Sequence, residues 1–185
     1  MQTEIIIAGF GGQGILFAGQ LLAYAALDAG MEVTWIPSYG PEMRGGTANC
    51  TVTIADEEIG APTVRHPKAG MIFNLPSFDK YEPLITSGGV LIANQSLIDR
   101  GFRRSDLNAV MVPANEIAES LGDKRLTNMV MVGALLELLP VLSPEAVEKT
   151  LAAHLPQRHQ HLLPLNAKAL QEGALFAQHQ MIVSA

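Results

Sequence analysis

The chain has 185 residues, of which 12 are basic and 18 acidic, for a formal net charge of −6. That balance argues against a general nucleic-acid or membrane-surface role. Hydrophobic residues at 48% and charged ones at 16% describe one folded domain, residues 1–185, with apolar surface to spare for partner chains. The lone cysteine, Cys50, excludes an internal disulfide and, within this chain, a thiolate-held iron–sulfur cluster or zinc site. Cys50 also points to a reducing cytoplasm. Met1-Gln2-Thr3-Glu4 lacks the basic start of a secretory signal. The apolar run over residues 129–142 is interrupted by Glu137 and is too short to span a bilayer, so no membrane role is expected.

Glu4-Ile5-Ile6-Ile7-Ala8-Gly9 reads as a strand buried on both faces, because its apolar run is unbroken rather than alternating. Phe10-Gly11-Gly12-Gln13-Gly14 makes a sharp turn. A helix follows with Leu16, Ala18, Leu21, Leu22, Ala25 and Ala26 at helical spacing, completing the first half of a βαβ unit. The free N–H groups at that helix start favour negative charge in the turn. Gly9, Gly11 and Gly14 match the dinucleotide pattern G-x-G-x-x-G. The pattern also wants an acid closing the second strand, and Val33-Thr34-Trp35-Ile36-Pro37 has none; Asp28 and Glu32 precede it. The turn either faces a ligand or merely lets helix and strand pack closely, and a stand-alone nicotinamide-dependent oxidoreductase is left as a rival reading.

Ser38-Tyr39-Gly40-Pro41-Glu42-Met43-Arg44-Gly45-Gly46-Thr47 is a glycine-hinged loop. In an open parallel sheet, ligand crevices lie beyond the carboxyl ends of strands, so this loop and the Gly9–Gly14 turn are expected side by side. Arg44 suits a bidentate clamp on phosphate or carboxylate, or a salt bridge to Glu42 or a neighbouring chain. Residues 47–55 alternate as a strand with one polar face, and residues 70–75, 89–94 and 109–113 read as three more strands. Ser77 is expected to cap a short helix over 78–86. Asn74 and Asn94 either line the crevice or cap the turns that follow them. The arginines at 100, 103 and 104 read as a solvated turn.

Helices are expected over 115–121, 128–138, 144–154 and 166–178. The second is apolar nearly all round and must be enclosed by sheet or by another chain. Ser143-Pro144-Glu145 is a helix-start signal. His154, His159 and His161 lack a carboxylate partner and a regular helical face, and are not read as metal ligands. The order of elements predicts an α/β fold: a three-layer, Rossmann-like open sheet, mostly parallel, with helices on both faces.

Ala8-Gly9-Phe10-Gly11-Gly12-Gln13-Gly14, followed by the Ser38–Ala48 loop, resembles the gamma subunit of 2-oxoacid:ferredoxin oxidoreductases. Asp56-Glu57-Glu58-Ile59-Gly60-Ala61-Pro62 and Leu126-Thr127-Asn128-Met129-Val130 match as well. The likeness spans nearly the whole chain and best fits the 2-oxoglutarate or 2-oxoisovalerate type. It implies oxidative decarboxylation of a 2-oxoacid to an acyl-CoA with electrons passed to ferredoxin. Thiamine diphosphate, magnesium and iron–sulfur clusters are expected on alpha, beta and delta chains, since this sequence has no cysteine set and no acidic G-D-G segment. No catalytic or metal-binding residue is expected here. Gly9, Gly11, Gly12, Gln13, Gly14 and Arg44 are expected on the coenzyme A side or at the subunit interface. Ser38, Tyr39, Gly40, Pro41, Glu42, Met43, Gly45 and Gly46 make the interface loop. The bland alternative is an assembly subunit that touches no ligand.

Overall fold

The computed structural model describes residues 1–39, 47–60 and 63–184. Its six-stranded sheet has the order β2-β3-β1-β4-β5-β6. The strands are β1 (Gln2–Phe10), β2 (Glu32–Tyr39), β3 (Thr47–Ala55), β4 (Ala69–Ile72), β5 (Val90–Asn94) and β6 (Asn108–Val112). Four neighbours, β1, β4, β5 and β6, run parallel, and β3 is antiparallel to both β1 and β2. The expected α/β sheet, mostly parallel, is therefore present.

The place of β3 is the feature of the sheet that the sequence does not mark. β2 does not pair with β1, because β3 lies between them along its full length, with Gln2 opposite Ala55 and Phe10 opposite Thr47. The alternation that marks 47–55 as a strand is what lets it return between the two. A nicotinamide ribose acid at the end of β2 would thus stand two strand spacings from the glycine turn, roughly 10 Å.

Burial explains the layers. Ile5 and Ile7 of β1 point into the larger core with Met71 and Ile92, under α1 (Ile15–Asp28), α3 (Ala114–Ser120), α4 (Thr127–Leu138), α5 (Pro144–His154) and α6 (Leu163–Ser184). Ile6 and Ala8 point the other way, to a smaller core with Ile72, Leu91 and Phe78 of α2 (Leu75–Tyr81). Helices cover both faces, unequally.

The all-round apolar α4 is enclosed within the chain itself, chiefly by α6. A Cβ at Gly133 would stand 1.9 Å from the Leu170 carbonyl, and one at Gly173 equally close to that of Val130. The two helices meet backbone to backbone. Ser143 caps α5, its Oγ accepting from the Ala146 N–H at 3.2 Å. α6 is longer than expected at both ends.

Hydrogen bonding corrects two expectations. Asn74, not Ser77, caps α2: its Oδ1 accepts from the Ser77 N–H at 2.9 Å, and the helix starts at Leu75. The arginine turn is not simply solvated. Arg100 donates to Asp79 and, at 2.9 Å, to buried Glu82, whose other oxygen accepts the Arg103 N–H at 2.6 Å. A buried polar group needs such hydrogen-bond partners, and they draw the turn onto the end of α2.

Candidate functional site

The strand order reverses between β1 and β4, since the chain leaves β1 for one half of the sheet and returns through β4 to the other. Crevices at such a point, beyond the carboxyl ends, are where open sheets hold ligands. Gly9 ends the buried part of β1, and the Phe73 N–H donates to the Ala8 carbonyl at 2.8 Å. A Cβ on Gly9 would collide with Gln13, Ile15 and Phe73 at 2.5–2.7 Å. Gly9 is buried and serves close packing.

The turn itself is built by Gln13, whose Oε1 accepts from the Phe10 N–H at 2.6 Å. Gly12 and Gly14 adopt φ values of +95° and +74°, where a side chain is strained. Gly14 starts α1 with no side-chain cap and no acid in the first turn. Its first N–H groups are therefore left to solvent or a ligand, at the positive end of the helix.

Across from the turn stands the start of α4. The Asn128 Nδ2 donates to the Gly14 carbonyl at 3.3 Å, joining residues 114 apart in sequence. Thr127 and Asn94 both donate to the Asn115 Oδ1, at 3.4 and 3.1 Å. A cavity of about 440 Å³ lies between these walls. Gly12, Gln13, Gly14 and Phe17 form one side; Asn115, Thr127 and Asn128 form the other, with Lys124 and Arg125 at its mouth. Both cations are largely exposed and tethered, Lys124 to Glu119 at 3.0 Å and Arg125 to Asp123 at 2.6 Å. The Arg125 guanidinium holds the Asp123 carboxyl below its usual range. The pocket therefore offers an open helix start, amide and hydroxyl groups, and two positive side chains. That set suits a phosphorylated or carboxylated ligand.

Gly12, Gln13 and Gly14 thus line one cavity. Gly11 adjoins it in the same turn. Gly40, Pro41, Glu42, Met43, Arg44, Gly45 and Gly46 lie outside the described residues. Their anchoring strands end at the same edge: Tyr39 and Gly9 both pair with Ala48, and Phe10 pairs with Thr47. Ser38, opposite Asn49, is exposed one step further down β2. Asn74 and Asn94 cap the turns after their strands, Asn94 through the Ser96 N–H at 3.3 Å. Asn115, Lys124, Arg125, Thr127 and Asn128 line the cavity as well, with no local mark in the sequence that says so. The stretch Leu126–Val130 carried a signal, but nothing local tied it to a turn so far away in the chain.

Among the described residues no helix is long and apolar enough to cross a membrane, and no group of histidine, cysteine and acidic side chains is placed to hold a metal ion. His154 stacks on Tyr24, with ring centroids 4.5 Å apart, and, against the expectation that it lacks a carboxylate neighbour, lies 3.7 Å from Asp28, which the packing of α5 on α1 brings to it.

The profile of the pyruvate ferredoxin/flavodoxin oxidoreductase family matches residues 4–176. Ketoisovalerate oxidoreductase subunit VorA of Methanothermobacter marburgensis is 35% identical over 97% of this chain, which spans only 37% of that relative's length. 2-Oxoglutarate synthase subunit KorC of Methanocaldococcus jannaschii is 36% identical over 85% of this chain and 86% of its own. The gamma subunit of a keto/oxoacid ferredoxin oxidoreductase from Geobacter sulfurreducens superposes with a TM-score of 0.80, at 30% identity, over 96% of this chain and 99% of that one. A 2-oxoglutarate:ferredoxin oxidoreductase from Magnetococcus marinus, solved with 2-oxoglutarate, coenzyme A and succinyl-CoA bound, shares the fold at a TM-score of 0.87 and 24% identity. The match covers 96% of this chain and 31% of that one. This chain belongs to the pyruvate ferredoxin/flavodoxin oxidoreductase family, as a unit of its gamma-subunit type.

Proposed function

We propose that the chain is the gamma subunit of a 2-oxoglutarate:ferredoxin oxidoreductase and forms the coenzyme A side of its active site. The observation that carries this is the cavity between the glycine turn and the start of α4, with its open helix start and its two cations. In the net reaction a 2-oxoacid and coenzyme A give acyl-CoA and carbon dioxide, while two electrons pass to ferredoxin and one proton is released. Thiamine diphosphate on a partner chain supplies the electron sink for decarboxylation. This chain's share is to hold the phosphates of coenzyme A so that the thiol reaches the acyl group formed elsewhere.

The donor set fits that share. Gly12 and Gly14 bring bare backbone to the cavity, and a Cβ on Gly12 would meet nothing within 4 Å, so that face is open. The groups present do not fit thiamine, magnesium or a cluster, because the only cysteine is buried and the described residues of the cavity include no carboxylate pair. Those cofactors belong to alpha, beta and delta chains. The choice of 2-oxoglutarate rests on the similarity to KorC, which covers 85% of this chain and 86% of that one.

The test uses the complex purified with its partner chains. Arg44→Ala, and separately Lys124→Ala with Arg125→Ala, should raise the coenzyme A KM about tenfold, since a charge-assisted contact contributes about 1.5–3 kcal/mol. The 2-oxoacid KM should stay unchanged. Unaltered coenzyme A kinetics in both variants would reduce the turn and loop to docking elements. Comparing 2-oxoglutarate, pyruvate and 2-oxoisovalerate as substrates decides the acid.

A further inference from the structure

A second and larger groove, about 730 Å³, lies between α4, α5 and α6, at the end of α4 away from Asn128. Its floor is apolar: Gly133, Leu136 and Leu170, with the last two buried. The floor is low because α4 and α6 meet backbone to backbone at Gly133. One rim is acidic, with Glu137 from the end of α4 and Glu145 and Glu148 from the start of α5. The opposite rim is α6, with Lys168 and Gln171 and the half-exposed Leu175. The ion pairs of the described residues lie elsewhere, and Glu137, Glu148 and Lys168 enter none of them.

Three carboxylates share one rim, on a chain of net charge −6. An apolar floor between charged rims suits an amphipathic occupant, and helical walls offer ridges for another helix to pack into. A second copy docking by the same face would set acid against acid. Nucleic acid is excluded on charge.

We propose that this groove seats a cationic amphipathic helix of a partner subunit. Its apolar stripe meets Leu136 and Leu170, its Lys and Arg residues face Glu137 and Glu148, and neutral or acidic residues face Lys168. The proposal rests on the reading that the chain works within a multi-subunit oxidoreductase.

The experiment is copurification of the full chain with its partner subunits, in wild-type form, as Glu137→Gln/Glu148→Gln and as Glu137→Lys/Glu148→Lys. A photo-crosslinking residue at position 171 identifies what sits in the groove. Both pairs of substitutions lie on the surface, so the thermal midpoint of the chain alone should hold. The recovered complex should fall about tenfold or more for the lysine pair and less for the glutamine pair. The crosslink should map to a Lys/Arg-rich helical segment. Full assembly of the lysine pair, or a crosslink to an acidic segment, an extended one or a second copy, overturns the groove alone. Absence of partner chains with the wild-type protein overturns the assembly reading, and the groove with it.

Discussion

Gly12 and Gly14, at the carboxyl end of β1, hold φ values of +95° and +74° and border a polar cavity. Gly133 and Gly173, at the α4–α6 crossing, sit in ordinary helical backbone, each with a carbonyl 1.9 Å from where a Cβ would stand. The first pair supplies conformation and open space; the second supplies the absence of a side chain. A sequence shows both as the same letter. The turn announces itself because its glycines cluster after an apolar strand. The crossing does not, because its two glycines lie 40 positions apart and each interrupts an otherwise good helix.

Substitution separates the two. The largest loss is expected at the crossing. Alanine in a helix interior is worth about 1 kcal/mol over glycine, but overpacking a tight core costs about 3 kcal/mol. Here the obstacle is backbone, which cannot swing aside. Gly133→Ala should therefore lose about 2 kcal/mol net by urea unfolding, and Gly133→Leu should not fold. A neutral or stabilised Gly133→Ala would mean that the helices are further apart than described.

At the turn, stability should move less than function. Gly12→Ala meets only backbone strain of about 1 kcal/mol, since nothing lies within 4 Å of the new Cβ. The methyl nevertheless projects into the space proposed for a ligand. Gly14→Ala adds contact with Asn128, 2.4 Å away at its amide nitrogen, a group that can rotate at the cost of its bond to the Gly14 carbonyl. In the assembled enzyme both variants should raise the coenzyme A KM by more than their unfolding energies would suggest. Equal behaviour of Gly12→Ala and Gly133→Ala, in stability and in kinetics, would erase the distinction.

The same contrast explains what the sequence made legible. The run Ile5-Ile6-Ile7, the alternation over 47–55 and the Ser143-Pro144 start are local signals, and each became the element it predicted. Strand order is not local. Nothing in the 39–47 connection says that β3 will pair with both β1 and β2, and the antiparallel insertion was missed. Half of the site was legible for the same reason: the turn is written in consecutive residues. The wall formed by Asn115, Thr127 and Asn128 depends on α4 reaching back to β1 through a contact between distant segments. Glu82 was hidden similarly, because its partners Arg100 and Arg103 follow 18 and 21 residues later.

Gly19 lies between the two extremes. It sits in α1 as a packing glycine, but what a Cβ would meet is a side chain, the Cys50 sulfur at 2.4 Å, rather than backbone. A double substitution, Gly19→Ala with Cys50→Ala, should recover part of what Gly19→Ala loses, which no partner change can do at Gly133. Cys50 itself is fully buried on β3, and burial pushes its thiol up to about 11 from an ordinary 9.0. The neutral thiol is the form the fold favours. The stability it contributes is complete below the ordinary thiol range and is lost as pH rises from about 9 through 11. Cys50→Ala should flatten that alkaline decline in a thermal-melt series. At pH 8 the native thiol should react with iodoacetamide far more slowly than in urea-unfolded chain, because reaction requires the thiolate and access to it. Fast labelling of the native protein would show that α1 lifts from β3 readily, and would make Gly19 a hinge rather than a packing point.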